Sequence, residues 1–351
     1  AENDAGRSPL SGTECSNTVQ PEVALSVMDM FNTTTYTGNI GEGVSTGSQA
    51  ITNGIDLAGE GGLVWLKGTD AARGHQLYDT YRGSGVPLAS NNANENSSDP
   101  NGLIAFNSDG FTLGTSSNVN FNPSKYVAWT FRKAPKFFDA QTYVGDNTAG
   151  PISHSLTSVP GCIITKAYNA AADWHVYHQS VGTGKFMTLN STTAATTNVD
   201  SFPTTPTDAV FYPGKSENSS GYNYVAYLFA DEPGLIKCGS YTGNTTTQNI
   251  DVGFKPQWVM IKSSTYSGQT ASEYAHWFMM DSKRNNGVTN DNLGADVTTA
   301  ENGSTLSCEN SFTDNGFQVS QAGNPGLNAG GETFIYVAIA EPVVESMTQE
   351  Q

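Results

Sequence analysis

Tyr126-Val127-Ala128-Trp129-Thr130-Phe131 alternates between two largely apolar faces. Successive residues of a strand point to opposite sides, so Tyr126, Ala128 and Thr130 share one face and Val127, Trp129 and Phe131 the other. A strand apolar on both faces is covered on both and belongs in the middle of a sheet. The phrase recurs as Tyr224-Val225-Ala226-Tyr227 and Tyr336-Val337-Ala338-Ile339, followed, like the first, by a proline: Pro135, Pro233 and Pro342. Upstream of each copy stands Tyr-x-Gly-Asn/Asp: Tyr36-Thr37-Gly38-Asn39, Tyr143-Val144-Gly145-Asp146 and Tyr241-Thr242-Gly243-Asn244. Copies lie about one hundred residues apart, too long a period for a solenoid and right for a triplicated small domain.

Two further blocks keep the same order in every copy. One reads Leu63-Val64-Trp65-Leu66-Lys67, then Cys162-Ile163-Ile164-Thr165-Lys166, then Trp258-Val259-Met260-Ile261-Lys262. The other reads His75-Gln76-Leu77-Tyr78-Asp79, Trp174-His175-Val176-Tyr177-His178 and Trp277-Phe278-Met279-Met280-Asp281. The expected organisation is an arm at 1–35, repeats at 36–136, 137–235 and 236–342, and a tail at 343–351. Junctions such as Ala134-Pro135-Lys136 are short, which implies repeats that touch and hold a set relation. Helix formers are scarce and Asn/Ser/Gly turns frequent, so the expected fold is all-β, three tandem antiparallel β-sandwiches.

The formal net charge is −17, which argues against nucleic acid and anionic membranes as partners. No stretch reaches the ~18 apolar residues that suggest a membrane span. Cys15, Cys162, Cys238 and Cys308 show no CxxC spacing and are read as free thiols, with Cys162 in a core strand.

Candidate chemistry is sparse. Gly43-Val44-Ser45-Thr46-Gly47 fits G-x-S-x-G, but a nucleophile elbow needs a strand before it and a helix after it, and the flanks are glycine-rich loop. Pro213-Gly214-Lys215-Ser216 lacks the upstream glycine of a phosphate loop. His175 and His178 point to opposite faces of a strand and are poor partners for one metal; with His75 and His276 they are read as rim histidines bonded to neighbouring loops. Acidic loops around Glu95 and Asp99, and around Asp291 and Asp296, offer oxygens of the kind calcium takes but no EF-hand spacing. Calcium is the single cofactor alternative to none. The five tryptophans are assigned mainly to the core. Tyr81, Tyr168, Tyr222 and Tyr266 fall in loops and are the candidate glycan contacts, a ring face beside Asn and Asp being a common sugar platform. No catalytic or metal-binding residue is assigned.

The ordered set of Tyr-x-Gly-Asn, Val64-Trp65-Leu66-Lys67, Leu77-Tyr78-Asp79-Thr80-Tyr81-Arg82-Gly83, Asn107-Ser108-Asp109-Gly110-Phe111-Thr112-Leu113-Gly114 and Tyr126-Val127-Ala128-Trp129 resembles a module of bacteriophage virion proteins, common in marine and cyanobacterial phages. The second repeat, with Asp173-Trp174-His175-Val176-Tyr177-His178, is similar to its sister module. The resemblance covers about residues 36–342. It implies concanavalin A-like, lectin-type jelly-roll sandwiches in the tail, fibre or outer particle surface of the virion. That place brings other virion proteins as partners; three similar units suit a homo-oligomer on a threefold or sixfold particle axis, and the loop tyrosines a host-surface glycan. The resemblance brings no catalytic residues. Capsid decoration without a ligand and a polysaccharide-degrading tail spike are the alternatives.

Overall fold

The computed structural model describes residues 26–266, 275–284, 291–301, 306, 310–320 and 325–342. The first repeat runs β1 (Phe31–Thr37), β2 (Gln49–Thr52), β3 (Gly62–Gly68), β4 (Gln76–Asp79), β5 (Leu103–Asn107), β6 (Gly110–Leu113) and β7 (Lys125–Arg132). Strands β1-β7-β3-β4 make one sheet and β2-β6-β5 a second. The second repeat runs β8 (Phe138–Val144), β9 (Ile152–Ser153), β10 (Pro160–Ala167), β11 (His175–His178), β12 (Lys185–Thr188), β13 (Thr196–Thr197), β14 (Val210–Phe211) and β15 (Asn223–Ala230). Its main sheet is β13-β12-β11-β10-β15-β8, and its second layer is only the ribbon β14-β9. The third runs β16 (Ile236–Thr242), β17 (Gln248–Asp251), β18 (Pro256–Ser263), β19 (Phe278–Asp281), β20 (Leu293–Gly294), β21 (Asn310–Thr313), β22 (Gly316–Val319) and β23 (Thr333–Ala340). Its sheets are β16-β23-β18-β19-β20 and β17-β22-β21. The protein is all-β, and these strands pair antiparallel.

The doubly apolar strands β7, β15 and β23 each lie between two neighbours, as their patterning requires. Their register corrects the third copy of the phrase. Trp65 faces Trp129, Ile164 faces Tyr227, and Met260 faces Val337. Likewise Tyr36 pairs with Tyr126, Tyr143 with Tyr224, but Tyr241 with Phe334. The counterpart of Tyr126-Val127-Ala128-Trp129 is therefore Phe334-Ile335-Tyr336-Val337, two residues before the expected match. A slip of two keeps every side chain on its own face, so alternation alone could not detect it.

The two faces of β7 and of β23 serve different cores, whereas both faces of β15 enter a single one. Ala128 packs with Ile51, Leu103, Phe111 and Leu113 between the two sheets of the first repeat. Phe334, Tyr336 and Ala338 pack with Ile250, Phe317 and Val319 in the third. The opposite faces, Val127-Trp129-Phe131, Val225-Tyr227-Phe229 and Ile335-Val337-Ile339, all enter one cluster shared by the three repeats. There Phe131 lies 5.7 Å from Phe229 and 5.7 Å from Trp258, ring centre to ring centre. All five tryptophans are buried. Half of the aromatic phrase is thus an interior between repeats, where a sandwich core within each had been expected. The arm is also shorter than 1–35: α1 (Val27–Met30) and β1 begin ahead of residue 36, because Phe31 pairs with Phe131 and packs in the shared core. The rest of the arm and the tail from 343 lie outside the described residues.

The Tyr-x-Gly-Asn/Asp motif closes each repeat on a second element about eighty residues later. The tyrosine hydroxyl donates to a carbonyl: Tyr36 to Val119 at 2.8 Å, Tyr143 to Glu217 at 2.7 Å, Tyr241 to Leu327 at 2.6 Å. The next residue in each case is an asparagine whose side-chain oxygen accepts from the amide after the motif glycine: Asn120 from Asn39, Asn218 from Asp146, Asn328 from Asn244. A Cβ on Gly38, Gly145 or Gly243 would fall 2.3, 2.0 and 2.0 Å from a backbone oxygen, so only glycine fits. Each tyrosine ring also stacks on its cross-strand partner, with centres 5.1–5.2 Å apart. Asn218 donates in addition to Asp146 and Thr148. Asn218→Ala is expected to destabilise the protein by about 1–3 kcal/mol through orphaned polar groups, and Gly145→Ala by more, since the obstacle is backbone. Urea denaturation checks this; an unchanged midpoint for both variants would remove the closure from the account.

Candidate functional site: the seams between repeats

A lysine ends the Leu-Lys, Thr-Lys and Ile-Lys blocks, and in a strand buried on both faces its ammonium has nowhere wet to go. Lys67, Lys166 and Lys262 are all buried. Each reaches across to the neighbouring repeat and donates to a loop carbonyl: Lys166 to Ala93 at 3.2 Å, Lys262 to Thr192 at 2.8 Å, Lys67 to Thr298 at 3.2 Å. The remaining hydrogen-bond partners of the three are also carbonyls, those of Gly68, Ala167, Ala170 and Ala275. The links run second to first, third to second, and first to third.

Other contacts repeat the same cycle. A loop amide of one repeat donates to the strand-end carbonyl of the next: Asn96 to Tyr168, Ala195 to Ser264 and Glu301 to Thr69, each at 2.9 Å. The residue just before β4, β11 and β19 sends a ring N–H across the seam: His75 Nε2 to Gly294 O, Trp174 Nε1 to Ala89 O, Trp277 Nε1 to Thr188 O, at 2.9–3.0 Å. Its own amide is held by Asn91, Asn190 or Asp296. Head-to-tail contacts of one kind generate a ring when the rotation closes, and here it closes after three steps within one chain.

The last residue of β4, β11 and β19 varies with its partner. Asp79 accepts from the Tyr227 hydroxyl at 2.8 Å, and Asp281 from Trp129 Nε1 at 3.1 Å. Each carboxylate is also paired with a buried arginine three residues on, Arg82 or Arg284, at 2.6 Å. In the second repeat the slot holds His178, which faces the third repeat, where Val337 offers no polar atom. Its Nε2 bonds Tyr336 O at 3.1 Å.

Two of these histidines are locked neutral by their neighbours. Trp65 Nε1 can only donate, and it donates to His75 Nδ1 at 2.8 Å. His75 therefore carries its proton on Nε2, which donates to Gly294 O. The Ser180 amide donates to His178 Nδ1 at 3.2 Å, which sets the same tautomer there. Burial pushes His75 down to about 3 and His178 to about 4. The expectation of rim histidines is thus corrected for both: they are buried in seams. His175 and His178 do face opposite ways, His175 meeting the buried Glu217 carboxylate at 2.6 Å. Ser201 bonds the same Glu217 oxygen at 2.8 Å. Serine and imidazole both sit on the carboxylate, an arrangement that ties loops together and lacks the serine–imidazole contact of a nucleophilic relay.

The four loop tyrosines do not form one site. Tyr168 and Tyr222 flank Asn223 at the Val144 end of β8, and the Tyr168 amide donates to Asn223 O. Tyr81 lies at the other end of that strand, its hydroxyl 2.9 Å from Lys133, which pairs with Asp139. Tyr266 packs against the core of the third repeat. Tyr81 and Tyr222 are exposed, while Tyr168 and Tyr266 are half-buried. Grooves open instead at two seams. One of about 380 Å³ at the third-to-first seam is lined by Tyr36, Tyr126, Lys125, Lys283, Arg284 and Glu301. Its counterpart of about 480 Å³ at the second-to-third seam is lined mostly by Ser, Thr and Ala.

The remaining sequence candidates are structural. Gly43–Gly47 is an exposed loop that leads into strand β2, without the helix an elbow needs. Gly214 sits in a turn at φ +77°. Asp99 is engaged by Ser116 and Asp296 by His276. Among the described residues no group of three or more His, Cys, Asp or Glu is placed to hold a metal ion. None of the described helices is long and apolar enough to cross a membrane. Cys162 and Cys238 are free and buried; Cys15 and Cys308 lie outside the described residues.

What fold and seams define is an all-β protein of antiparallel sheets whose three sequence repeats close on one another in a ring. The chain belongs to the family described as Domain of unknown function (DUF7483), which it matches over residues 26–342, all three repeats together. No curated protein and no solved structure matches it.

The lysines set the alkaline behaviour. Burial lowers Lys67, Lys166 and Lys262 from the usual 10.5 to about 8. Between those values the unfolded chain holds more protons than the folded one, so stability rises with pH. Buried Tyr36, Tyr143 and Tyr227 are raised well above 10, so above about pH 10 the unfolded chain loses protons first and stability falls. A melting temperature that climbs from pH 8 towards 10 and then drops is expected, with a shallower climb in Lys262→Met. A flat profile in both proteins would show that the ammonium groups are hydrated.

Proposed function

We propose that the protein is a structural component of a bacteriophage particle, in its tail or fibre, working by assembly and not by catalysis. In this reading it assembles in the host cytoplasm, is displayed on the particle surface, and has other virion proteins as partners. The observation that carries the reading is the ring of lysine-to-carbonyl links. They join three repeats into one mechanically continuous body with polar loops outside, suited to bearing load and presenting surface. The net charge of −17 supports it by disfavouring packaged nucleic acid and membrane as partners. The resemblance to phage virion modules points the same way.

The scatter of Tyr81, Tyr168, Tyr222 and Tyr266 favours a surface role without a ligand over a glycan receptor. Density-gradient-purified particles, labelled with gold-tagged antibody against this protein, are expected to carry label on the tail or fibre. Label on the head selects capsid decoration. Protein abundant in the lysate yet missing from particles overturns the virion role. New reducing ends after incubation with host envelope polysaccharide would overturn the non-catalytic part.

A further inference from the structure

The third repeat is held by two seams, and both contain a histidine that must be neutral. His178 of the second repeat donates to Tyr336 O, and His75 of the first donates to Gly294 O. Each ring uses its other nitrogen as an acceptor, from Ser180 N and Trp65 Nε1 respectively. A second proton on either ring would set N–H against N–H in a buried contact. The first-to-second seam has no such ring. It is closed by Trp174 on Ala89, by Lys166 on Ala93 and by Tyr227 on Asp79, whose carboxylate is held within the first repeat by Arg82. The other histidines of the chain do not bridge seams in this way: His154 bonds Thr207 O and His175 bonds Glu217, within the second repeat, and His276 meets Asp296 within the third.

We propose that the third repeat is an acid-releasable lobe, which mild acid detaches at both of its seams while the first and second repeats stay joined. The groups facing the two rings agree with this. His75 faces the Lys67 ammonium, which adds repulsion to any imidazolium. His178 faces Asp231, whose attraction is outweighed by burial. Once a seam opens, the ring is hydrated and takes a proton near its ordinary 6.5. The released form therefore binds up to two protons that the closed form does not. Its population rises about tenfold per pH unit for each histidine, about a hundredfold for both, as pH falls from 6.5 towards 4.

Hydrogen exchange of the full chain, expressed as protection relative to intrinsic rates, tests this at amides that mark the three seams. Ala195 and Glu301 mark the two seams of the third repeat, and Asn96 the remaining one. From pH 6.5 to 4.5 Ala195 and Glu301 are expected to lose protection together, approaching a hundredfold per unit, while Asn96 keeps its own. Parallel loss at Asn96 would mean whole-molecule unfolding, and no loss at any of them would mean seams insensitive to acid; either overturns the proposal. In His75→Gln/His178→Gln the amide side chains still donate to the carbonyls but take up no proton. The acid loss is expected to vanish there, and its persistence would also overturn the proposal. Should that variant fail to fold, the comparison of the three amides in the unmodified protein decides alone.

Discussion

Three ammonium groups in the interior, each satisfied by carbonyl oxygens of two repeats, are the constraint on which the rest depends. A charge taken out of water without a carboxylate partner is costly, and hydrogen bonds to carbonyl oxygens offset that cost. Here the acceptors include loop carbonyls of the neighbouring repeat, two of which, Ala93 O and Thr298 O, also accept the Ala172 and Arg73 amides. The ammonium groups need these carbonyls, and the loops are held in place through them. That link fixes where each loop lies on the next repeat, and with it the position of the tryptophan or histidine beside it. The shared aromatic core follows, because the outer faces of β7, β15 and β23 are covered only when all three seams are closed.

The three seams share a frame and differ in chemistry. Where β7 and β15 offer a donor, Trp129 or Tyr227, the opposing strand ends in a carboxylate backed by an arginine. Where β23 offers Val337, the opposing residue is His178, which reaches a backbone carbonyl instead. His75 stands where the other repeats have Trp174 and Trp277, yet delivers the same ring N–H across the seam. Geometry is repeated and the donor is replaced, so the two seams of the third repeat come to differ from the remaining one in their response to protons.

Much was legible from residues alone. The alternation in Tyr126–Phe131 correctly marked a central strand, and the tryptophans correctly marked the interior. The motif Tyr-x-Gly-Asn/Asp was visible, but its partners Asn120, Asn218 and Asn328 were not, since they lie some eighty residues away in loops rich in asparagine. The seam lysines stood in the quoted blocks, always last. A lysine at the end of an apolar strand ordinarily reaches water along its stem, so nothing local marked these as buried. Tyr81, Tyr168, Tyr222 and Tyr266 looked alike in sequence, and only their placement separated them.

Periodicity along the chain determined by itself the all-β class, the antiparallel sheets and the recurrence of one plan, because side-chain direction in a strand depends only on parity. Parity is also why the third copy could be misaligned by two residues without contradiction. Which of two apolar faces meets its own second sheet, and which meets another repeat, depends on contacts between strands and loops that local sequence does not link. The tertiary structure alone decided that, and with it the closure of the ring and the burial of Lys67, Lys166 and Lys262.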